Sequence, residues 1–228
     1  MANQLDLEEQ EQLDELKHFW NKYGSLISGV LVAVLLGLAA WNGYHYWQRS
    51  QAALAAAMFD EMGRSLASAD VAKAERTFND MRDRYASATY TQQAGLALAK
   101  MAADAGKTDA AKSALQWVAD KAGDDGYAAV AGLRLANVYL DAKQYPEALK
   151  ALDAVKSDEF AGLVADRRGD ILFQQGQRDA AKAAYLSAFK AFEERSEYRR
   201  LVRVKLNALG VEPEASKPAV KSAADGGN

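Results

Sequence analysis

Few residues in this chain have the types and spacing that chemistry requires. There is no Cys, and the two His, His18 and His45, both flank one apolar stretch near the N-terminus. General acid–base catalysis most often uses His, and a zinc site needs several Cys or His ligands, so the chain beyond residue 45 offers neither. Gly106-Lys107-Thr108 imitates the end of a phosphate-binding loop, but Met101 stands where that motif needs its first Gly. The acid pairs Asp124-Asp125, Asp158-Glu159 and Glu193-Glu194 fall at expected helix ends or turns. Paired carboxylates can hydrolyse sugars, yet no aromatic-lined cleft accompanies these. The expectation is a protein without catalytic residues, cofactor or metal, and therefore a binding protein rather than an enzyme.

The composition says which elements must position any binding residues. Of 228 residues 47 are Ala and three are Pro, and Ala is among the best helix formers, so the fold class is all-α. The formal charge of -3 leaves no basic surface for nucleic acid, so no nucleic-acid partner is expected. That charge is segregated. Residues 1–22 hold Asp6, Glu8, Glu9, Glu11, Asp14 and Glu15 against Lys17 and Lys22, and 23–48 hold no formal charge.

About 20 residues rising ~1.5 Å each cross a hydrocarbon layer of ~30 Å, so 23–48 is long enough to span a bilayer as a transmembrane helix. Phe19, Trp20 and Tyr23 precede its apolar centre, and Trp41, Tyr44, Tyr46 and Trp47 follow it, as aromatic belts do at the two interfaces. A cleaved signal would open with basic residues and carry a shorter apolar core. Here the opening is acidic and the run is longer, although Gly37-Leu38-Ala39 imitates a cleavage site. Lys17 and Lys22 on one side against Arg49 on the other favour a cytoplasmic N-terminus and a bulk outside the cytoplasm. Within the span Ser25, Gly29, Ala33 and Gly37 recur every fourth residue, a small-residue stripe that lets a second helix approach closely in lipid.

A period of about 35 residues organises the rest. Ala74, Ala111, Ala148 and Ala181 are each followed four residues later by Phe78, Leu115, Leu152 and Tyr185. Twelve residues before each anchor sit Met62, Ala99, Ala136 and Gly169, with turn signals such as Ala105-Gly106-Lys107 between. Each unit reads as helix, turn, helix, with small residues where two helices touch. The pattern resembles the tetratricopeptide repeat, most clearly over Leu135-Ala136-x-x-Tyr139 and Tyr145-Pro146-x-Ala148. Met62 and Ser65 depart from it and predict a looser first unit. Glu193 to Leu209 is expected to cap the stack with Tyr198, Leu201, Val202, Lys205 and Leu209 on one side. The repeat domain thus runs over 49–209, and 210–228, with Pro213, Pro218, Gly226 and Gly227, has the composition of a disordered tail.

Such a stack offers a curved surface to other polypeptides. Transferred by position, its groove should receive Gln93, Leu96, Lys100, Leu133, Asn137, Leu140, Asp166, Asp170 and Phe173, with Lys100, Asn137 and Asp170 at equivalent places in successive units.

The opening Glu11-Gln12-Leu13-Asp14-Glu15-Leu16-Lys17-His18-Phe19-Trp20, then Tyr23-Gly24, Gly29-Val30 and Trp41-x-x-Tyr44-x-Tyr46-Trp47, is similar to the YfgM family of ancillary translocon subunits. The order of parts fits too: acidic cytoplasmic tail over 1–22, one anchor, then a tetratricopeptide-like periplasmic domain. The resemblance covers residues 5 to 209. It implies association with the SecYEG translocon in the bacterial inner membrane, with a PpiD-type membrane-anchored chaperone, and with secretory client proteins emerging into the periplasm. A tetratricopeptide envelope protein coordinating cell-wall or outer-membrane assembly, and a tethered cytoplasmic scaffold, share the repeat pattern.

Overall fold

The computed structural model describes residues 7–213, with side chains from residue 12 onward. The described residues are helical throughout, without strands: α1 (Leu7–Ala67), α2 (Val71–Tyr85), α3 (Thr89–Asp104), α4 (Thr108–Lys121), α5 (Asp125–Asp141), α6 (Tyr145–Asp153), a single 3-10 turn (Asp158–Phe160), α7 (Ala161–Gln174), α8 (Arg178–Ala191) and α9 (Glu197–Ala208). Two compact units meet within α1, at Ala53 and Leu54. The expected boundary at 48 is therefore no break in the backbone, because the Ala-rich run Gln51–Ala57 supplies nothing that would end a helix.

In the first unit, the large apolar side chains from Leu26 to Trp41 are exposed, so no other part of the described chain wraps the span as it would a core helix. The expected acidic segment is helical from Leu7; Asp6 lies outside the described residues, as do the side chains of Glu8, Glu9 and Glu11.

The second unit is built on the period read from the sequence. Ala74, Ala111, Ala148 and Ala181 are all fully buried, and Phe78, Leu115, Leu152 and Tyr185 are at most 4% exposed. The period extends to the backbone. Each first helix ends in one turn, in which Asp70, Lys107, Gln144 and Gln177 donate their N–H to Ser65, Ala102, Tyr139 and Leu172 oxygens. The residue before each donor, Ala69, Gly106, Lys143 or Gly176, takes positive φ between 54° and 79°. This is the left-handed helix stop that glycine accepts at no steric cost and an L side chain resists. Asp70 and Asp124 then cap α2 and α5 by accepting the N–H of Lys73 and Tyr127, each at 3.0 Å, and Pro146 sits in the first turn of α6.

Small residues occupy the helix crossings for a measurable reason. A Cβ on Gly169 would lie 2.4 Å from the Tyr185 ring, and one on Gly132 2.6 Å from Val155. Accordingly α3 packs closely on α4, α5 on α6 and α7 on α8. α1 and α2 lack that close approach, since the fully buried Met62 takes the place of Ala or Gly. The looser first unit is as expected.

One apolar core runs from Ala55 to Ile171, and a second joins Ala181, Tyr185, Ala188 and Phe189 of α8 to Val202 and Leu206 of α9. Here the expected cap face needs correction. Val202 and Leu206 point inward, Leu209 is half-buried, and Tyr198 and Leu201 are 54% and 51% exposed. At ~100° per residue, a helix that seats Val202 and Leu206 turns Leu201 out of the core. Gly210 (φ 75°) closes α9 with Val211 N–H donating to Leu206, and Pro213 is buried. From residue 214 the expected disordered tail lies outside the described residues.

Candidate protein-binding groove

The first helices of the units, from the end of α1 through α3, α5 and α7, carry the residues assigned to the groove. Leu96 and Leu133, at equivalent positions, are half-buried against the main core and leave one edge uncovered. Phe59 precedes them at the same position in α1, and its ring lies 5.9 Å from that of Tyr90. Gln93, also half-buried, donates its amide N–H to the Tyr127 hydroxyl at 2.7 Å, tying α3 to α5. Asn137 is half-buried, and its amide oxygen has no hydrogen-bond partner. Lys100 is exposed and pairs with Asp104 on its own helix. Phe173 is 45% exposed, with the Arg178 guanidinium 6.0 Å from its ring centre.

Two of the nine residues lie elsewhere. Leu140 is 5% exposed and belongs to the core, because the position three residues beyond Asn137 turns toward α6. Asp166 is 6% exposed and closed off by the cap helix. Lys205 of α9 donates to both Asp166 oxygens, at 2.7 and 2.9 Å, and to Asp170 at 2.8 Å. All three of its ammonium protons are thereby used. Asp170 also accepts from Tyr185 at 2.8 Å and from Arg167 at 3.1 Å. Burial pushes the Asp166 carboxyl above the usual carboxylate range although Lys205 pulls it down, and neighbouring Asp170 adds to the rise. Burial likewise raises the Tyr185 hydroxyl, helped by its bond to Asp170. The last unit's polar positions thus hold the cap in place, and the open groove is the part lined by α1, α3 and α5.

Sequence reasoning missed Lys205 and Tyr185 as partners of the carboxylates. It also missed the aromatic row Tyr90, Tyr127 and Phe160, whose spacing of 37 and 33 is the repeat period itself and was visible.

In the first unit Ser25, Gly29, Ala33 and Gly37 are all exposed. A Cβ on Gly29 or Gly37 would meet no atom within 4 Å. Among the described residues this stripe of small side chains is an uncovered helix face. Among the described residues no group of three or more His, Cys, Asp or Glu is placed to hold a metal ion.

Comparison with known proteins gives a consistent result. The family profile described as a tetratricopeptide repeat-like domain matches residues 17–211. A protein of Neisseria gonorrhoeae named ancillary SecYEG translocon subunit is 30% identical over 204 residues, covering 89% of this chain and 98% of its own length. Proteins of Escherichia coli and Haemophilus influenzae with the same name are each 28% identical over 206 residues, covering 89% of this chain and 97% and 98% of themselves.

Proposed function

The chain belongs to the YfgM family of ancillary SecYEG translocon subunits, built on a tetratricopeptide repeat-like domain, and from that membership we propose that it is a non-catalytic, membrane-anchored subunit of the translocon. The observation that carries this reading is the similarity over nearly the whole length of the relatives, which includes both the exposed apolar helix and the repeat unit.

In this reading residues 23–48 cross the inner membrane, 1–22 lie in the cytoplasm and 49–209 in the periplasm. The support is the Lys bias before the span and the aromatic residues at both of its ends. The uncovered stripe of Ser25, Gly29, Ala33 and Gly37 packs on a helix of a membrane partner. The groove of α1, α3 and α5 takes polypeptide, either a PpiD-type chaperone or secretory clients leaving the channel. Half-buried Leu96 and Leu133 supply apolar contact, and half-buried Asn137 lies one turn further along α5.

Protease added to spheroplasts tests the topology: digestion of the C-terminal unit is expected, and its protection would overturn the assignment. Affinity purification in mild detergent tests the partner, with SecYEG expected; recovery of cell-wall or outer-membrane assembly proteins instead would favour the envelope reading. Lys100→Glu combined with Asn137→Ala should weaken crosslinking in the groove while leaving the melting temperature unchanged. Asp170 is unsuitable for that test, because removing it strips Lys205, Arg167 and Tyr185 of their shared partner.

A further inference from the structure

A helical stack ends stably when its last helix turns a polar face to water, since no further unit covers it. α9 meets that condition on one side only. Its closing turn repeats that of the earlier first helices, and the acceptors Leu172 and Leu206 are 34 residues apart, so α9 is in register a fifth first helix. The side on which its second helix would lie carries Arg203, at the position of Gly169, and there the cap is polar. At the position of Asp170, equivalent to Lys100 and Asn137, stands Val204, and at that of Arg167 stands Leu201; they are 64% and 51% exposed. Tyr198, one turn earlier, is 54% exposed. Single exposed apolar residues are ordinary, but three on successive turns of one 12-residue helix make a contiguous strip.

We propose that Tyr198, Leu201 and Val204 form a docking strip for a helix of another polypeptide whose apolar stripe is flanked by acidic side chains. Charge sets the chemistry of the occupant. Glu197 is the one acid of α9, and it is paired with Arg200. Lys205 is spent on Asp166 and Asp170, whereas Arg203 and nearby Arg195 make no ion pair among the described residues. An acidic flank on the partner would satisfy these guanidiniums, and a basic one would be repelled. Residues 214–228 of the chain itself suit the strip poorly, for Val220 is their one large apolar side chain and Lys217 and Lys221 offset the acids Glu214 and Asp225. A second copy placed strip to strip would oppose Arg203 to Arg203 or Arg200 across a two-fold axis. The inference adds a second surface, on α9, to the groove of α1, α3 and α5, and it stands whether or not the partner is the translocon.

The test uses the full chain in nanodiscs of zwitterionic lipid. The probes are two labelled synthetic helices of about five turns, each with a Leu stripe, flanked by Glu in one and by Lys in the other. The Glu helix should bind at least about tenfold more tightly than the Lys helix. Leu201→Ser with Val204→Ser should remove about tenfold of that affinity without shifting the melting temperature, because both side chains are exposed. Arg195→Glu with Arg203→Glu should reverse the preference. Since the chain has no Cys, Leu201→Cys supplies a single crosslinking site that should capture the Glu helix. Equal affinity for the two helices, or binding indifferent to Leu201→Ser with Val204→Ser, would overturn the proposal. So would an anionic phospholipid vesicle that displaces the Glu helix from the strip, since the occupant would then be a lipid surface.

Discussion

The two units of this chain use the same small residues and put them to opposite ends. Around Gly29 and Gly37 an added Cβ would find open space, whereas at Gly132 and Gly169 it would collide with Val155 and with the Tyr185 ring. In the repeat unit, smallness is consumed within the chain, because it lets consecutive helices touch. Along the apolar helix the same composition leaves a face that no other described residue covers. A pattern of small residues therefore marks a face that a second helix can approach closely, and only packing says whether the chain itself supplies that helix.

Four groups of substitutions would break or sharpen that contrast. The largest effect is expected from Lys205→Met, which leaves Asp166 beneath the cap without its cation and should destabilise the repeat unit by about 3 kcal/mol in urea unfolding at about pH 7. Its pH dependence follows from the direction of the Asp166 shift. A carboxyl raised above its unfolded value binds more protons folded than unfolded, so its unfavourable contribution is full above the folded pKa and fades as pH falls toward the ordinary range. Without Lys205 that rise is greater, and the deficit of the variant relative to the parent should shrink at about pH 5. No deficit would mean that α9 is held by Val202 and Leu206 alone, and one unchanged with pH would mean that the Asp166 charge is not its cause.

Gly169→Ala comes next, at about 2 kcal/mol, because the new methyl has no room beside Tyr185. Chemical unfolding should show it, and Tyr185→Leu in the same chain should return part of the loss by opening space. Smaller and opposite in sign are Ala69→Gly and Lys143→Gly, which relieve left-handed strain at φ 54° and 56° and should each raise stability by up to about 1 kcal/mol. Smallest of all is Gly29→Leu with Gly37→Leu, expected to leave the melting of the repeat unit unchanged while reducing recovery of a membrane partner from detergent extracts. A loss of repeat-unit stability there would erase the distinction between the two regions.

Much of the fold could be read because the repeat is written several times. The anchors Ala74, Ala111, Ala148 and Ala181 are all buried, and Met62 marked the first unit as the one that would not pack closely. The groove was less legible. Leu96, Leu133 and Asn137 keep partial exposure as their positions suggested, but Leu140 and Asp166 share the polar or marginal faces of their helices only on paper. For Leu140 the difference is about 60° of helix phase, since three residues at ~100° each fall short of a full turn. For Asp166 it is a contact with a residue 39 positions away. The cap was misjudged in a similar way, since Tyr198 and Leu201 lie near Val202 in sequence and on another face of the helix.

By itself the sequence determined the apolar helix, the four-fold period, the glycine-marked turns at Gly106 and Gly176, and the absence of thiol chemistry. These depend on length, local φ/ψ preference and side-chain volume, all carried by neighbouring residues. Only the tertiary structure decided which polar groups of the first helices stay available. Stacking brings α9 over α7, so Lys205 consumes two carboxylates that local spacing presents as a polar stripe, while Lys100, with no such neighbour, stays exposed on its own helix.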